Sequence, residues 1–127
     1  MPTPESLRRL VDRYCTAVSS RDVDAVVALF TEDAVQCDPA GTPPNVGHEA
    51  IAAFFRSAVE ASTATTFQAL AVHTSGHHVA IDFQVVVTMD GGSMVIAGIE
   101  VFSVSDDDRI TASTAYWDDN DVTFRAA

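Results

Sequence analysis

The chain has 127 residues, enough for one domain spanning 1–127, and 47% are hydrophobic, which supplies a full core and excludes disorder. A net charge of -11, with only 7 basic residues scattered along the chain, argues against nucleic acid or an anionic membrane surface as a partner. No basic start followed by an apolar run opens the sequence, and no segment approaches the ~20 apolar residues of a membrane span, so a cytoplasmic location with Cys15 and Cys37 as reduced thiols is expected.

Thr3 and Pro4 form a cap and first-position pair for an opening helix. Leu7, Leu10, Val11, Tyr14 and Val18 follow helical spacing on one side, with Arg8, Arg9, Asp12 and Arg13 on the other. Tyr14 falls on the buried stripe. Its hydroxyl therefore needs a partner, either backbone or something in a cavity. Asp22 can cap a second helix over Val23–Phe30, with Val26, Val27 and Phe30 inward, followed by a short extended piece, Ala34–Cys37.

Cys37-Asp38-Pro39-Ala40-Gly41-Thr42-Pro43-Pro44 is a loop stiffened by three prolines. Asp38 directly precedes Pro39, which disfavours helical backbone there. Loops held this way often position working groups, although an Asp in such a place also serves simply as a turn former. Gly47 introduces a third helix, about His48 to Ala61, with Ile51, Phe54, Phe55 and Ala58 on its apolar side.

From Thr66 the pattern turns to strands. Phe67–Thr74, Val79–Met89, Met94–Val104 and Ile110–Asp118 are separated by short turns, which predicts an antiparallel meander. Helices first and strands afterwards define an α+β chain, with a curved sheet wrapped over the long helix to leave a conical pocket. In the third of these strands, Met94, Ile96, Gly98, Glu100, Phe102 and Val104 share one face, while Val95, Ala97, Ile99 and Val101 share the other. Both faces read as buried, so Glu100 is a carboxyl group in an apolar strand with no cation nearby in sequence. A raised pKa and a retained proton are the usual response, and a neutral carboxylic acid can donate a hydrogen bond that a carboxylate cannot. The alternatives are a rim carboxylate in water or an ion pair with a distant arginine.

Other chemistry finds little support. His77 and His78 point to opposite faces of a strand, and His48 and His73 stand alone, so no metal site is expected. Asp106-Asp107-Asp108 lacks the spacing of a calcium loop. Gly91-Gly92 sits in a hairpin turn rather than before a helix, and no Gly-x-Ser-x-Gly is present.

Three stretches together resemble the bacterial Δ5-3-ketosteroid isomerases of the cone-shaped nuclear-transport-factor-like superfamily. They are Arg13-Tyr14 with Arg21-Asp22-Val23-Asp24-Ala25; Asp38-Pro39-x-Gly41-x-Pro43-Pro44 with Gly47-x-x-x-Ile51-Ala52-Ala53-Phe54; and Ile99-Glu100-Val101 with Arg109-Ile110 and Ala115-Tyr116-Trp117. The resemblance implies Asp38 as general base and Tyr14 with a protonated Glu100 as an oxyanion hole. It further implies a steroid substrate, no cofactor and no metal, and a homodimer formed through the outer face of the sheet. Val18, Phe54, Phe55, Phe83, Phe102 and Trp117 are the lining expected of an apolar pocket. The sequence departs from that family at the strand acid, where Glu100 is one methylene longer than the usual aspartate. It departs again at Phe30 and Phe55, which stand where relatives carry supporting tyrosines. A polyketide-cyclase-like enzyme using Asp38 as base, and a non-catalytic module holding an apolar ligand, are the competing readings.

Overall fold

The computed structural model describes residues 1–127. Helix α1, Pro4–Ser19, begins as the sequence predicts: the Thr3 hydroxyl accepts the Ser6 N–H at 3.0 Å and Ser6 returns the favour at the Thr3 N–H at 2.8 Å. Its buried stripe is Leu7, Leu10, Val11, Tyr14 and Ala17; Val18 is half-buried. Helix α2 is only Val23–Val27, capped by Asp22. The expected continuation to Phe30 is wrong. Phe30 instead opens strand β1, Phe30–Cys37, and pairs in parallel with Ile110, whose N–H donates to the Leu29 carbonyl at 2.8 Å. Helical and strand registers both bury Phe30, and the partner strand eighty residues away settles which one forms.

A two-residue strand, β2 (Asn45–Val46), precedes helix α3, Gly47–Glu60, and then come β3 (Ala64–Ser75), β4 (His78–Met89), β5 (Gly92–Val104) and β6 (Ile110–Tyr116). After a 3₁₀ turn at Asp119–Asp121, β7 (Val122–Ala126) completes the chain, an element the sequence pattern did not reveal. The sheet runs β2-β1-β6-β5-β4-β3, antiparallel except for β1 with β6, as an α+β cone. Strand β5 is shared: β7 pairs with its first half, Gly92 to Ile96, and β6 with its second, from Ile99 onward.

The three helices cover the concave face, where Phe30, Phe102, Leu7, Leu10, Ile51 and Ile81 are fully buried. The two faces of β5 are not equally buried, contrary to expectation. Within one chain the inner face is covered, whereas Ala97 and Ile99 on the outer face are exposed.

Arg21 fixes the join between the helices. Its guanidinium donates to the Val59 and Ser62 carbonyls, both at 2.9 Å, and to the Ser62 hydroxyl at 2.7 Å, so it closes the C-terminal end of α3 with no carboxylate involved. Hydrogen bonds from a charged donor are worth about 1.5–3 kcal/mol. Arg21→Ala should therefore lower the Tm by roughly 5–15 °C in a thermal melt. An unchanged Tm would show that this fork contributes nothing.

Candidate active site

The concave face encloses a cavity of about 580 Å³. Each wall has a different source. Helix α1 contributes Tyr14 and Val18, the loop after β1 contributes Asp38 and Pro39, and α3 contributes Phe54, Phe55 and Ala58. The sheet supplies Phe67, Phe83, Val85, Val87, Met89, Met94, Ile96 and Glu100, and Trp117 closes one side just beyond β6. The lining is apolar apart from Asp38, Glu100, the hydroxyls of Tyr14 and Thr65, and the indole N–H of Trp117.

Tyr14 and Glu100 meet at the deep end, only 5% and 3% exposed respectively. The Tyr14 hydroxyl donates to Glu100 Oε1 at 3.2 Å, longer than the usual 2.5–3.0 Å for two oxygens and therefore readily exchanged for a better partner. The phenol is held edge-on by Phe67 and Phe102, with ring centroids 5.3 and 5.1 Å away. No cation reaches Glu100: the ion pairs of the chain are Met1–Asp106, His77–Asp106 and Arg109–Asp107, all at the surface. Burial pushes the Glu100 carboxyl up to about 8, the negative charge of Asp38 adds to this, and the Tyr14 hydroxyl partly offsets it. Burial also raises Tyr14 well above the ordinary phenol value, with Glu100 contributing next. Both shifts favour the protonated form of these groups.

Asp38 occupies the loop wall, half-buried. The Trp117 indole N–H donates to its Oδ1 at 2.7 Å. Burial raises the Asp38 pKa above the ordinary carboxylate value, and the Trp117 hydrogen bond pulls it back. Access for Trp117 depends on Gly98. A Cβ there would lie 2.5 Å from the Tyr116 carbonyl and 3.1 Å from Trp117 Cβ, so only glycine lets the end of β6 cross β5 this closely. The arrangement puts one carboxyl group on the wall of an apolar chamber whose floor holds a phenol and a second carboxyl group.

Of the lining residues expected from sequence, Val18, Phe54, Phe55, Phe83 and Trp117 face the cavity. Phe102 does not. It is fully buried behind Tyr14, because the strand face it shares with Glu100 passes beneath the end of the cavity there. Phe30 is fully buried as well, and Phe55 sits on the wall without a polar atom, so Glu100 is the sole hydrogen-bond partner of the Tyr14 hydroxyl. Sequence reading missed Phe67, Val85, Val87, Met89, Met94 and Ile96. The signal was present in the alternation, since Val85, Val87 and Met89 share a face with Phe83, and Met94 and Ile96 share one with Glu100. The Trp117–Asp38 bond left no sequence signal across 79 positions.

Among the discounted groups, His48 Nε2 donates to the Phe30 carbonyl at 2.8 Å and His77 pairs with Asp106 at the surface. No cluster of three or more His, Cys, Asp or Glu side chains is placed to hold a metal ion. No helix is long and apolar enough to cross a membrane.

Fold and cavity together define a cone-shaped α+β protein with a phenol and a carboxyl group, Tyr14 and Glu100, at the closed end of an apolar chamber and a second carboxyl group, Asp38, on its wall. Residues 11–113 match the SnoaL-like domain, and the chain belongs to that family. It is 30% identical to the steroid Δ-isomerase of Nocardioides simplex over 95% of this chain and 97% of that one. A 53-residue stretch is 38% identical to the epoxide hydrolase LasB of Streptomyces lasalocidi, covering 42% of this chain and 19% of LasB. Among solved structures, SalBIII, described as an epoxide hydrolase/cyclase-like enzyme in pyran ring formation in the polyether salinomycin, superposes with a TM-score of 0.90 at 26% identity, covering 98% of this chain and all of that one. RV0760c from Mycobacterium tuberculosis superposes with a TM-score of 0.87 at 22% identity over 98% of this chain and 100% of its own, a likeness of fold alone. The relatives with a described activity are an isomerase and epoxide hydrolase or cyclase-like enzymes, which supports an enzyme here.

Proposed function

We propose that the chain is a steroid Δ5–Δ4 isomerase. The observation that carries this reading is the convergence of a buried carboxylic acid, Glu100, with a phenol, Tyr14, at the floor of an apolar cavity that has Asp38 on its wall. The near full-length similarity to the Nocardioides simplex isomerase supports the same chemistry.

A 3-oxo-Δ5-steroid enters with its ketone deepest, so that Tyr14 and Glu100 donate to its oxygen. Asp38 takes a proton from C4; the C4–H electron pair forms the C3=C4 bond as the carbonyl pair moves onto oxygen, which leaves a dienolate conjugated with the C5=C6 bond and its charge on that oxygen. The same carboxylate returns the proton at C6, giving the conjugated Δ4-3-ketone. Proton count and charge balance without a cofactor. Each donor to the oxyanion is typically worth about 2.7–4 kcal/mol in the transition state. Two copies pairing through the outer face of the sheet form part of this reading; the exposed Ile99, Tyr116, Val35 and Val46 support it.

Adding the chain to 5-androstene-3,17-dione should produce the ultraviolet band of a conjugated enone, faster than buffer alone. Absence of that band at saturating steroid would retire the proposal. The LasB and SalBIII similarities favour one second reading, in which Glu100 protonates an epoxide oxygen while Asp38 deprotonates a hydroxyl or water that opens the ring. An apolar hydroxy-epoxide would then cyclise at unchanged mass or gain one water, outcomes that mass spectrometry separates.

A further inference from the structure

We propose that the binding site continues past the mouth of the cavity onto Phe124 of β7, and that it selects steroids carrying a hydrocarbon tail at C17. This deepens the isomerase reading and rests on it for the orientation of the steroid. The sheet register carries the argument. Thr65, Val87, Met94 and Phe124 stand directly opposite one another across β3, β4, β5 and β7, so their side chains form one row on the concave face. The first three line the cavity. The fourth continues the row sideways, one strand beyond Met94, and is 61% exposed, a large aromatic left in water beside the rim of the chamber.

Gly92 makes room for that ring. A Cβ at Gly92 would come within 3.1 Å of Phe124 Cζ and 2.1 Å of the Arg125 carbonyl, and its φ of +153° also suits glycine. The ring therefore lies over bare backbone opposite Met89, the register partner of Gly92 and itself part of the mouth. Between the Glu100 and Met94 positions the strand advances six residues, about 20 Å at 3.3 Å per residue. That depth exceeds the length of a four-ring nucleus with its ketone at Glu100, so the nucleus ends short of the outer row and a substituent at C17 extends towards it. There the lining offers two methionines, which adapt to irregular apolar shapes, and Thr65 as the only hydrogen-bonding side chain. A tail of alkyl carbons fits this chemistry, and a polar group at C17 gains little from it.

The experiment measures quenching of Trp117, the only tryptophan of the chain and part of the cavity wall, by 4-androsten-3-one and by the same nucleus bearing a 17-butyl chain. A fully buried methylene is worth roughly 4-fold in affinity, so partial cover of the tail should favour the butyl compound by about 10-fold. Phe124→Ser should bring that ratio to within about threefold of unity, Phe124→Leu should restore most of it, and Leu70→Ser, an exposed apolar position outside the cavity, should leave it unchanged. A ratio near unity in the unmodified chain, a ratio that survives Phe124→Ser, or an equal loss in Leu70→Ser would each overturn the proposal. The corresponding Δ5 compounds are assayed for isomerisation in parallel. Tail-dependent binding without isomerisation would retire the isomerase and leave the tail site standing, whereas isomerisation with no tail preference would do the reverse.

Discussion

Replacing Asp38 with asparagine should lower kcat for the Δ5-steroid by 10²–10⁴-fold, the usual contribution of a positioned base. The asparagine keeps the size of the side chain and can still accept the Trp117 N–H, so the cavity should retain its shape while losing the carboxyl group proposed as base. Unchanged steroid binding by Trp117 quenching, together with the loss in kcat, is the expected signature. Activity that stays within a few fold of the unmodified chain would mean that another group removes the proton. The same residue predicts the acid side of the pH profile. Burial raises its pKa, so activity should fall as the pH drops through a value above the ordinary aspartate range.

Activity should also fall as the pH rises through about 8, where Glu100 loses its proton. Below that pH the acid donates to the ketone oxygen; above it, a carboxylate beside a developing oxyanion repels it. Glu100→Gln, which donates at every pH, should abolish this alkaline limb while keeping most of the rate. Glu100→Ala should cost about 10²–10³-fold in kcat. An alkaline limb that persists in Glu100→Gln would assign it to a different group. Stability carries the same sign. Because the folded pKa lies above the unfolded one, the native chain holds more protons between about 4.5 and 8, and folding loses stability as pH rises across that window. Chemical denaturation at the two ends should differ by an amount on the order of a few kcal/mol, and Glu100→Gln should flatten the difference.

Much of this protein is written locally. Thr3 and Pro4 start α1, the stripe from Leu7 to Tyr14 orients it, and the alternation in β5 identifies Glu100 as an acid on an apolar face. These are short-range effects of capping, helical period and strand period, so the α+β class and the run of strands from β3 to β6 follow from the sequence alone. The resemblance at the Asp38-Pro39 loop depends on adjacent residues too, and was legible for that reason.

Whatever depends on a distant partner needed the tertiary structure. Helix α2 stops at Val27 because β6 offers Phe30 a parallel ladder, and the fully buried ring is satisfied either way. Strand β7 exists because β6 leaves the first half of β5 unpaired, a vacancy that no local pattern announces. Phe102 left the wall and Phe124 joined its edge through sheet register rather than hydrophobicity. The Trp117–Asp38 bond and the meeting of Tyr14 with Glu100, 86 positions away, arise from chain closure. Residue type and period set the kinds of groups this chain presents; long-range pairing alone brought a phenol and two carboxyl groups to the same small volume, because side-chain convergence is a property of packed surfaces and not of neighbouring residues.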